Sequence, residues 1–269
     1  MSPRVVEGGK VRRKRAQTPG RAYKEAGRLE HDPREDILHL DISEVKSGEG
    51  RVFVADDLQT CSSVILQAKQ RGKRPMSVVW HAHPSHIVGY EDKAKDIEAE
   101  HPVLEYWDYR DNKYRWDNDP ERRARFEEEF KEGLKREEGN LRKFTEQIPP
   151  KEVIRMIVEH LEGECPGAHI HATLIPGVER ASTFNVPREI MQRGSRPGKS
   201  ASILMEAGYA DEVLARVLKE YQKAGRVQKV NRRCTEKSAS GGAEEVHILP
   251  SGRIYRAMLK PRVKEGKKK

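Results

Sequence analysis

The feature that most constrains the fold of this chain is one long, charged helical segment set among short runs rich in Val and Ile. Between residues 119 and 147, Phe126, Phe130 and Leu134 recur at i, i+4 and i+8, which predicts a helix with one apolar face. Runs such as 168–176 have the composition of strands. We therefore expect an α+β fold, in which an antiparallel sheet is covered by helices.

Local patterns predict the remaining elements. The segment 152–160 is ambiguous, but it is rich in Val and Ile, and we predict that it forms an antiparallel hairpin with 168–176. The other predicted strands are 37–45, 50–55, 76–83, 226–230, a hairpin of 103–110 with 113–116, and a strand pair within 246–259 that turns at Pro250-Ser251-Gly252. The other predicted helices are 58–72, with Asp57 as N-cap, 186–194, 200–208 and 210–225.

Charge is distributed unevenly along the chain, whose net charge is +9. Residues 1–28 and 260–269 are basic and predict a flexible arm and a tail, whereas 29–179 is acidic overall and 180–259 is basic again. We therefore predict domain boundaries at these positions. A basic C-terminal unit flanked by basic arms makes nucleic acid the expected partner, DNA first and RNA as an open alternative.

Composition also excludes several classes of protein. No run of eighteen apolar residues is present, and the N-terminus has no apolar stretch of the kind found in a secretory signal, so we expect an intracellular protein, cytoplasmic or nucleoid-associated, with no membrane partner. Three widely spaced cysteines argue against a disulfide framework. The motifs of phosphate loops, dinucleotide sites and G-x-S-x-G hydrolases are absent from the sequence.

The order of elements after residue 186 is three short helices followed by a strand pair. This order, with its basic charge, resembles the winged helix-turn-helix DNA-binding family over about 70 residues, and the resemblance implies that 210–224 is a recognition helix. The alternative is a small helical domain that binds protein. The side chains expected to contact nucleic acid are basic residues of the N-terminal arm and of this unit: Arg12, Arg13, Lys14, Arg15, Arg216, Lys219, Lys223, Arg226, Lys229, Arg232 and Arg233.

The strongest candidate metal site lies in VEHLEGECPGAHIHATLIP. Side chains alternate along a strand, so His169 and His171 project from one side about 7 Å apart and within reach of one metal ion. If 153–160 pairs with that strand, His160 supplies a third imidazole and completes an open metal site. Glu162 is a candidate ligand or a group that orients an imidazole, as is Glu164.

At these residues the chain resembles the Mob/Pre-type plasmid mobilisation relaxases of the HUH endonuclease superfamily, over about twenty residues. The resemblance implies a divalent metal (Mn, Mg or Zn) on His160, His169 and His171, nicking of one DNA strand, and a covalent link through an upstream residue. Tyr23 is the candidate nucleophile, with His31 as the alternative. The sequence departs from the family pattern, because Gly163 interrupts the acidic pair and two residues separate Pro166 from His169.

A second His-x-His pair competes with the first. His81-Ala-His83-Pro-Ser resembles the JAB/JAMM metalloprotease family, and the resemblance implies a metal held by His81 and His83 with Asp92 or Asp96, and Glu44 as the general base. The Ser that this family places before the Asp is absent.

Three hypotheses follow. The first is a metal-dependent single-strand endonuclease (a hydrolase or transesterase of the relaxase or replication-initiator kind) that acts in plasmid mobilisation or replication. The second is a DNA-binding regulator or architectural protein without catalysis. The third is a JAMM-like isopeptidase.

Overall fold

The computed structural model describes residues 4–7, 10–12, 28–30, 37–58, 60–91, 107–136, 141–177, 199–233 and 243–259. The fold is mixed α+β with sheets in which most neighbours are antiparallel, as the sequence predicts. In the described part of the chain, no helix is long and apolar enough to cross a membrane.

The central sheet has five strands. Strand β7 (Ser62–Lys69) lies in the middle, flanked by the antiparallel strands β8 (Met76–Ala82) and β9 (His169–Ile175). Strand β5 (Val45–Glu49) pairs with β8 at one edge, and β10 (Lys229–Arg232) runs parallel to β9 at the other.

A second sheet has four strands. The order is β12 (Ile254–Leu259), β11 (Ala243–Ile248), β6 (Val52–Leu58) and β4 (Ile37–Leu40), with β4 and β6 parallel and the other pairs antiparallel. Three short strands, β1 (Arg4–Glu7), β2 (Lys10–Arg12) and β3 (Arg28–Glu30), form a separate antiparallel sheet.

Helices cover one face of the central sheet. They are α1 (Pro84–Gly89), α2 (Trp107–Asn118), α3 (Pro120–Lys135), α4 (Arg142–Thr145), α5 (Pro150–Glu164) and α6 (Lys199–Lys223).

The central sheet is buried on both faces by alternating side chains. Val64 and Leu66 face the helices and pack in the same core as Leu161 of α5, whereas Ile65 and Val79 face the four-stranded sheet and pack against Phe53. The molecule therefore has three layers: helices, the five-stranded sheet and the four-stranded sheet.

The structure confirms several predicted elements. Strands at 76–82 and 169–175 and the hairpin of β11 and β12 are present. A helix also begins after Asp119, whose side chain accepts a hydrogen bond from the Arg122 backbone N–H at 2.9 Å, but it ends at Lys135 and not near residue 147 as predicted. The predicted turn at Pro250-Ser251-Gly252 joins the two strands of the hairpin.

Four other predictions are wrong. Residues 62–69 form a strand and not a helix, because both faces of this segment are buried and the expected alternation of polar residues is missing. Residues 107–118 are helical, so the hairpin expected there does not form. Residues 45–49, expected to include a turn, form strand β5. The two helices expected at 200–208 and 210–225 are one helix, α6, that continues through Gly208.

The segment 152–160 is the error that matters most for function. It lies within α5 and is not a strand. Val153, Ile157 and Leu161 recur at four-residue spacing and are fully buried, so packing of this stripe on the central sheet outweighs the strand preference of Val and Ile.

The C-terminal elements belong to the same sheets as the earlier ones. Strand β10 extends the five-stranded sheet and β11 pairs with β6 in the four-stranded sheet. Helix α6 packs in the same core as α5, and its buried stripe includes Leu214 and Leu218. Elements on either side of residue 180, where a domain boundary is predicted, thus share both sheets. The predicted helix 186–194 and the tail 260–269 lie outside the described residues.

Candidate nucleic-acid interface

His169 and His171 project from the same face of β9, as the strand alternation predicts. Ile170 between them is 2% exposed and packs among the helices, so the two imidazoles face the other way, toward the side of the four-stranded sheet. His169 is exposed and His171 is half-buried. The pair therefore lies at an accessible end of this face of the central sheet.

Cationic side chains surround this pair. Lys69 lies directly opposite His169 on β7, and Lys229 lies directly beside His171 on β10. Arg233, at the end of β10, donates its backbone N–H to the Leu174 carbonyl at 2.9 Å and its Nη1 to the Ile254 carbonyl at 3.1 Å. We call Lys69, His169, His171, Lys229 and Arg233 the basic cluster.

Two members of the basic cluster, Lys69 and His171, have pKa values that the charges of other members lower. Burial lowers the pKa of Lys69, and the charges of Lys229 and Arg233 lower it further. Burial also lowers the pKa of His171, and Lys69, Lys229 and His169 add to the effect. Every neighbour that shifts these two groups is basic, so an anion bound here would relieve repulsion among them.

The turn between β7 and β8 extends the positive surface. Arg71, Lys73 and Arg74 are exposed, and Gly72 at the tip has φ 78°. The turn is held in place because Gln70 Nε2 donates to the Pro166 carbonyl at 3.0 Å. A central hairpin with strands paired on both sides presents these cations on a rigid base.

Sequence reasoning missed Lys69, Arg71, Lys73 and Arg74. Four basic residues within the six positions 69–74 were visible in the sequence. The prediction of a helix that ends at Gly72 separated this run from the strands, and the acidic balance of 29–179 masked it.

The structure does not bring His160 to His169 and His171. His160 is on α5, which packs against the opposite face of the central sheet. It is 6% exposed, and burial lowers its pKa, opposed by Glu164 and reinforced by Lys135. The condition for the three-histidine site, that 153–160 be a strand next to β9, is therefore not met.

Glu162, the other proposed ligand, is engaged elsewhere. Its two carboxylate oxygens accept hydrogen bonds from Arg226 Nε at 3.0 Å and Nη2 at 2.6 Å. Arg226 also lies over the Tyr221 ring, 5.5 Å from its centre. This bidentate ion pair engages both Glu162, a predicted metal ligand, and Arg226, a predicted phosphate contact.

The other predicted phosphate contacts are dispersed. Arg216 pairs with Glu91 at 3.0 Å, while Lys219 and Lys223 are exposed on α6. Arg232 is half-buried on β10 and only Lys229 and Arg233 belong to the basic cluster. Arg13, Lys14, Arg15, Tyr23 and His31 lie outside the described residues, and the side chain of Arg12 on β2 is not among those described.

The JAMM-like residues lie only partly within the described part of the chain. Glu44 lies beside His81, whose backbone N–H donates to the Glu44 carbonyl at 2.9 Å. His81 is 1% exposed beneath the four-stranded sheet, with Nδ1 3.4 Å from the Leu40 carbonyl oxygen. His83 is the residue before α1, and the carboxylate of Glu44 accepts the Asp41 backbone N–H at 2.9 Å and lies 3.3 Å from Lys46 Nζ. Asp92 and Asp96 lie outside the described residues.

A divalent metal does not fit the described residues at His169 and His171. The described part of the chain contains no group of three or more His, Cys, Asp and Glu side chains that could hold one metal ion. The groups that lower the pKa of His171 beyond the effect of burial are Lys69, Lys229 and His169, with no carboxylate among them. These charges repel a metal cation and attract an anion.

Comparison of the chain with models of known protein families and with curated proteins gave no match.

Proposed function

We propose that this protein binds nucleic acid through its phosphate backbone, using the basic cluster and the turn between β7 and β8. The observation that carries the proposal is that Lys69, His171 and Lys229 come from three neighbouring strands to one accessible face. The charged groups that lower the pKa of Lys69 and of His171 are basic, and a polyanion supplies the opposite charge.

The exposed turn suits a backbone contact. Arg71, Lys73 and Arg74 stand beside the cluster on the same end of the central hairpin, so cations extend over several residues and are not confined to one point. Neutralising several phosphates releases condensed counterions, which supplies most of the free energy of sequence-independent binding.

The proposal follows the hypothesis of a DNA-binding regulator or architectural protein more closely than that of a metal-dependent nickase. The described residues give the nickase no three-ligand metal site, and His160 lies across the sheet from the other two histidines. The proposal also uses the strands as the contact surface, in place of the recognition helix that the winged-helix resemblance implies.

Fluorescence anisotropy with labelled duplex DNA and duplex RNA tests this function. The variant Lys69→Gln/Arg71→Gln/Lys73→Gln/Lys229→Gln removes four charges from the interface. A matched variant, Arg115→Gln/Arg123→Gln/Arg125→Gln/Arg136→Gln, removes four charges from α2 and α3 on the other side of the central sheet.

We expect the first variant to lose at least about tenfold in affinity and about four units of the slope of log K against log salt, since each phosphate contact contributes about one unit. The matched variant should stay within about twofold of the wild type. Equal losses in both variants would mean that only net charge matters, and would contradict the proposal. Nicking of supercoiled DNA that disappears in His169→Ala/His171→Ala would instead favour the nickase.

A further inference from the structure

We propose that the basic cluster is a site for a dianionic phosphate group, of the kind that ends a nucleic-acid strand, and not only one more contact to an internal phosphodiester. This inference rests on the proposed function and deepens it. It assigns the cluster and the neighbouring turn to different parts of the ligand.

The geometry of the cluster is convergent. Lys69, His171 and Lys229 come from β7, β9 and β10, which are consecutive strands about 4.8 Å apart. Lys69 is opposite His169 and therefore diagonal to His171, at a distance that a long side chain spans. Arg233 lies four residues beyond Lys229 along the same edge of the sheet. Lys69, His171 and Lys229 thus come from three neighbouring strands to one end of this face.

Hydrogen bonds fix the base of this site. Ile170 N–H donates to Gln228 Oε1 at 2.5 Å, and Gln228 N–H donates to the Ile170 carbonyl at 2.9 Å, which holds β10 beside β9 in register. Gln67, opposite His171, donates its Nε2 to the Gly252 carbonyl at 3.1 Å. The backbone under the cluster is therefore preorganised before any ligand arrives.

The charge of the cluster exceeds that of one phosphodiester. Lys69 and Lys229 alone carry two positive charges, and the charges of Lys229 and Arg233 add to burial in lowering the pKa of Lys69. An internal phosphodiester brings one negative charge, whereas a terminal phosphate carries about −1.5 to −2 near neutral pH. A phosphomonoester balances the cluster better.

The turn between β7 and β8 has the opposite character. Arg71, Lys73 and Arg74 are exposed and spread along the turn, and Arg74 lies against Gly50 on the adjacent turn. Dispersed cations of this kind contact successive phosphates along a backbone. We therefore expect the turn to contribute to affinity for any duplex and the cluster to contribute to preference for a phosphorylated end.

Two sources of the dianion share this chemistry: the end of a nucleic-acid strand and a small phosphomonoester or inorganic phosphate. Anisotropy with duplexes of one sequence, bearing a 5′-phosphate, a 3′-phosphate or hydroxyl ends only, measures the first source. Calorimetric titration with inorganic phosphate measures the second.

We expect one of the phosphorylated duplexes to bind about tenfold more tightly than the hydroxyl-ended duplex, the gain expected for one additional charge-assisted contact. The variant Lys229→Gln should reduce this ratio toward one, and His171→Gln should do the same. The variant Lys73→Gln, on the turn, should weaken binding of all duplexes and leave the ratio unchanged.

The outcomes separate this inference from the proposed function. Equal binding of all three duplexes by the wild type overturns the inference while leaving nucleic-acid binding in place, and so does a ratio that Lys229→Gln does not change. If no duplex binds, the proposed function fails. The titration with inorganic phosphate then decides alone. Phosphate binding that is weakened by the variant Lys229→Gln supports a dianion site, and absence of phosphate binding overturns it.

Discussion

Lys229 and His171 lie side by side on neighbouring parallel strands, and the charge of Lys229 is one cause of the lowered pKa of His171. The two residues are far apart in the sequence, and their pairing depends on β10 joining the edge of the central sheet. The relationship places a titratable group within the surface that we propose binds an anion.

Binding of nucleic acid should depend on pH through His171. Its pKa in the unbound protein is lowered from 6.5 by burial and by Lys69, Lys229 and His169, and the residue directly opposite it on β7 is the neutral Gln67. A bound phosphate raises this pKa, so binding takes up protons. Affinity should therefore increase as the pH falls from about 7 to about 5, and the gain is lost as the pH rises through the pKa of the bound state.

The measurement is the dissociation constant of a duplex at constant ionic strength over this pH range. The dissociation constant of the variant His171→Gln should change less with pH than that of the wild type, and the difference should be a few fold across the range. An identical dependence in both proteins would show that other groups are responsible.

Stability should fall with acid through His86. This residue is completely buried on α1, and burial lowers its pKa from 6.5 to about 4, opposed by its contact with the Ile148 carbonyl at 3.1 Å. Because the folded-state pKa is the lower one, the unfolded chain binds the proton more readily. Stability is complete above about pH 6.5 and is lost as the pH falls toward 4, by about 3 kcal/mol.

Urea denaturation at pH 7 and pH 4.5 tests this. The variant His86→Gln should be less stable than the wild type at pH 7, because it disturbs packing against Trp80 and Tyr90. It should also lose less stability between the two pH values. A wild-type midpoint that does not move with pH would contradict the prediction.

Asp211 should be a strong determinant of stability. Its Oδ1 accepts hydrogen bonds from Ser62 Oγ at 2.5 Å and from the Gly177 backbone N–H at 3.0 Å, and the residue is completely buried. It thus connects α6 to the start of β7 and to the end of β9. Asp211→Ala leaves two buried donors without this acceptor, so we expect a loss of about 3 kcal/mol or more.

Thermal or urea unfolding of Asp211→Ala measures the loss, with Glu212→Ala as the control, since Glu212 is the exposed neighbour on the same helix. We expect the control to change stability by less than about 0.5 kcal/mol. Similar values for the two variants would mean that Asp211 does not have this role.

Two glycine substitutions should have opposite effects. A Cβ at Gly177 would lie 1.9 Å from the Thr60 carbonyl oxygen, so Gly177→Ala forces backbone to move and should cost at least about 2 kcal/mol. Gly163, on α5, has nothing within 4 Å of an added Cβ. Gly163→Ala should therefore stabilise the helix by about 0.5–1 kcal/mol. Chemical denaturation of both variants measures the change in the free energy of unfolding. An unchanged stability of Gly177→Ala would contradict the close approach of Gly177 to the Thr60 carbonyl oxygen.

The sequence was sufficient to predict the fold class and the strand that carries His169 and His171. The sequence was insufficient for segments whose side chains are buried on both faces of a sheet. Strand β7 lies between the helices and the second sheet, so Val64 and Ile65 face different cores and both are apolar. Such a run has no alternation, and local patterns do not distinguish it from a buried helix.

The strand predicted at 152–160, which was to carry His160, is wrong for the converse reason. Val153, Ile157 and Leu161 have the spacing of a helix face, but their neighbours are also β-branched, and local preference suggested a strand. The basic cluster was equally inaccessible to sequence reasoning, because Lys69, His171 and Lys229 meet only through the pairing of β7, β9 and β10. The charge of each residue was visible in the sequence, and their proximity was not.

The order of strands in the two sheets also governs how this chain acquires its structure during synthesis. Strand β11 lies between β6 and β12, so the partner that completes β6 emerges from the ribosome long after β6 itself. Until then, the apolar face formed by Ile65 and Val79 has only β4 and β6 to cover it, without Val246 and Ile248 of β11. A nascent chain that stalls before β11 therefore exposes part of this apolar face and an unpaired edge of β6. Such a chain should depend on chaperones, and we expect the second sheet to be completed only after translation has passed residue 248.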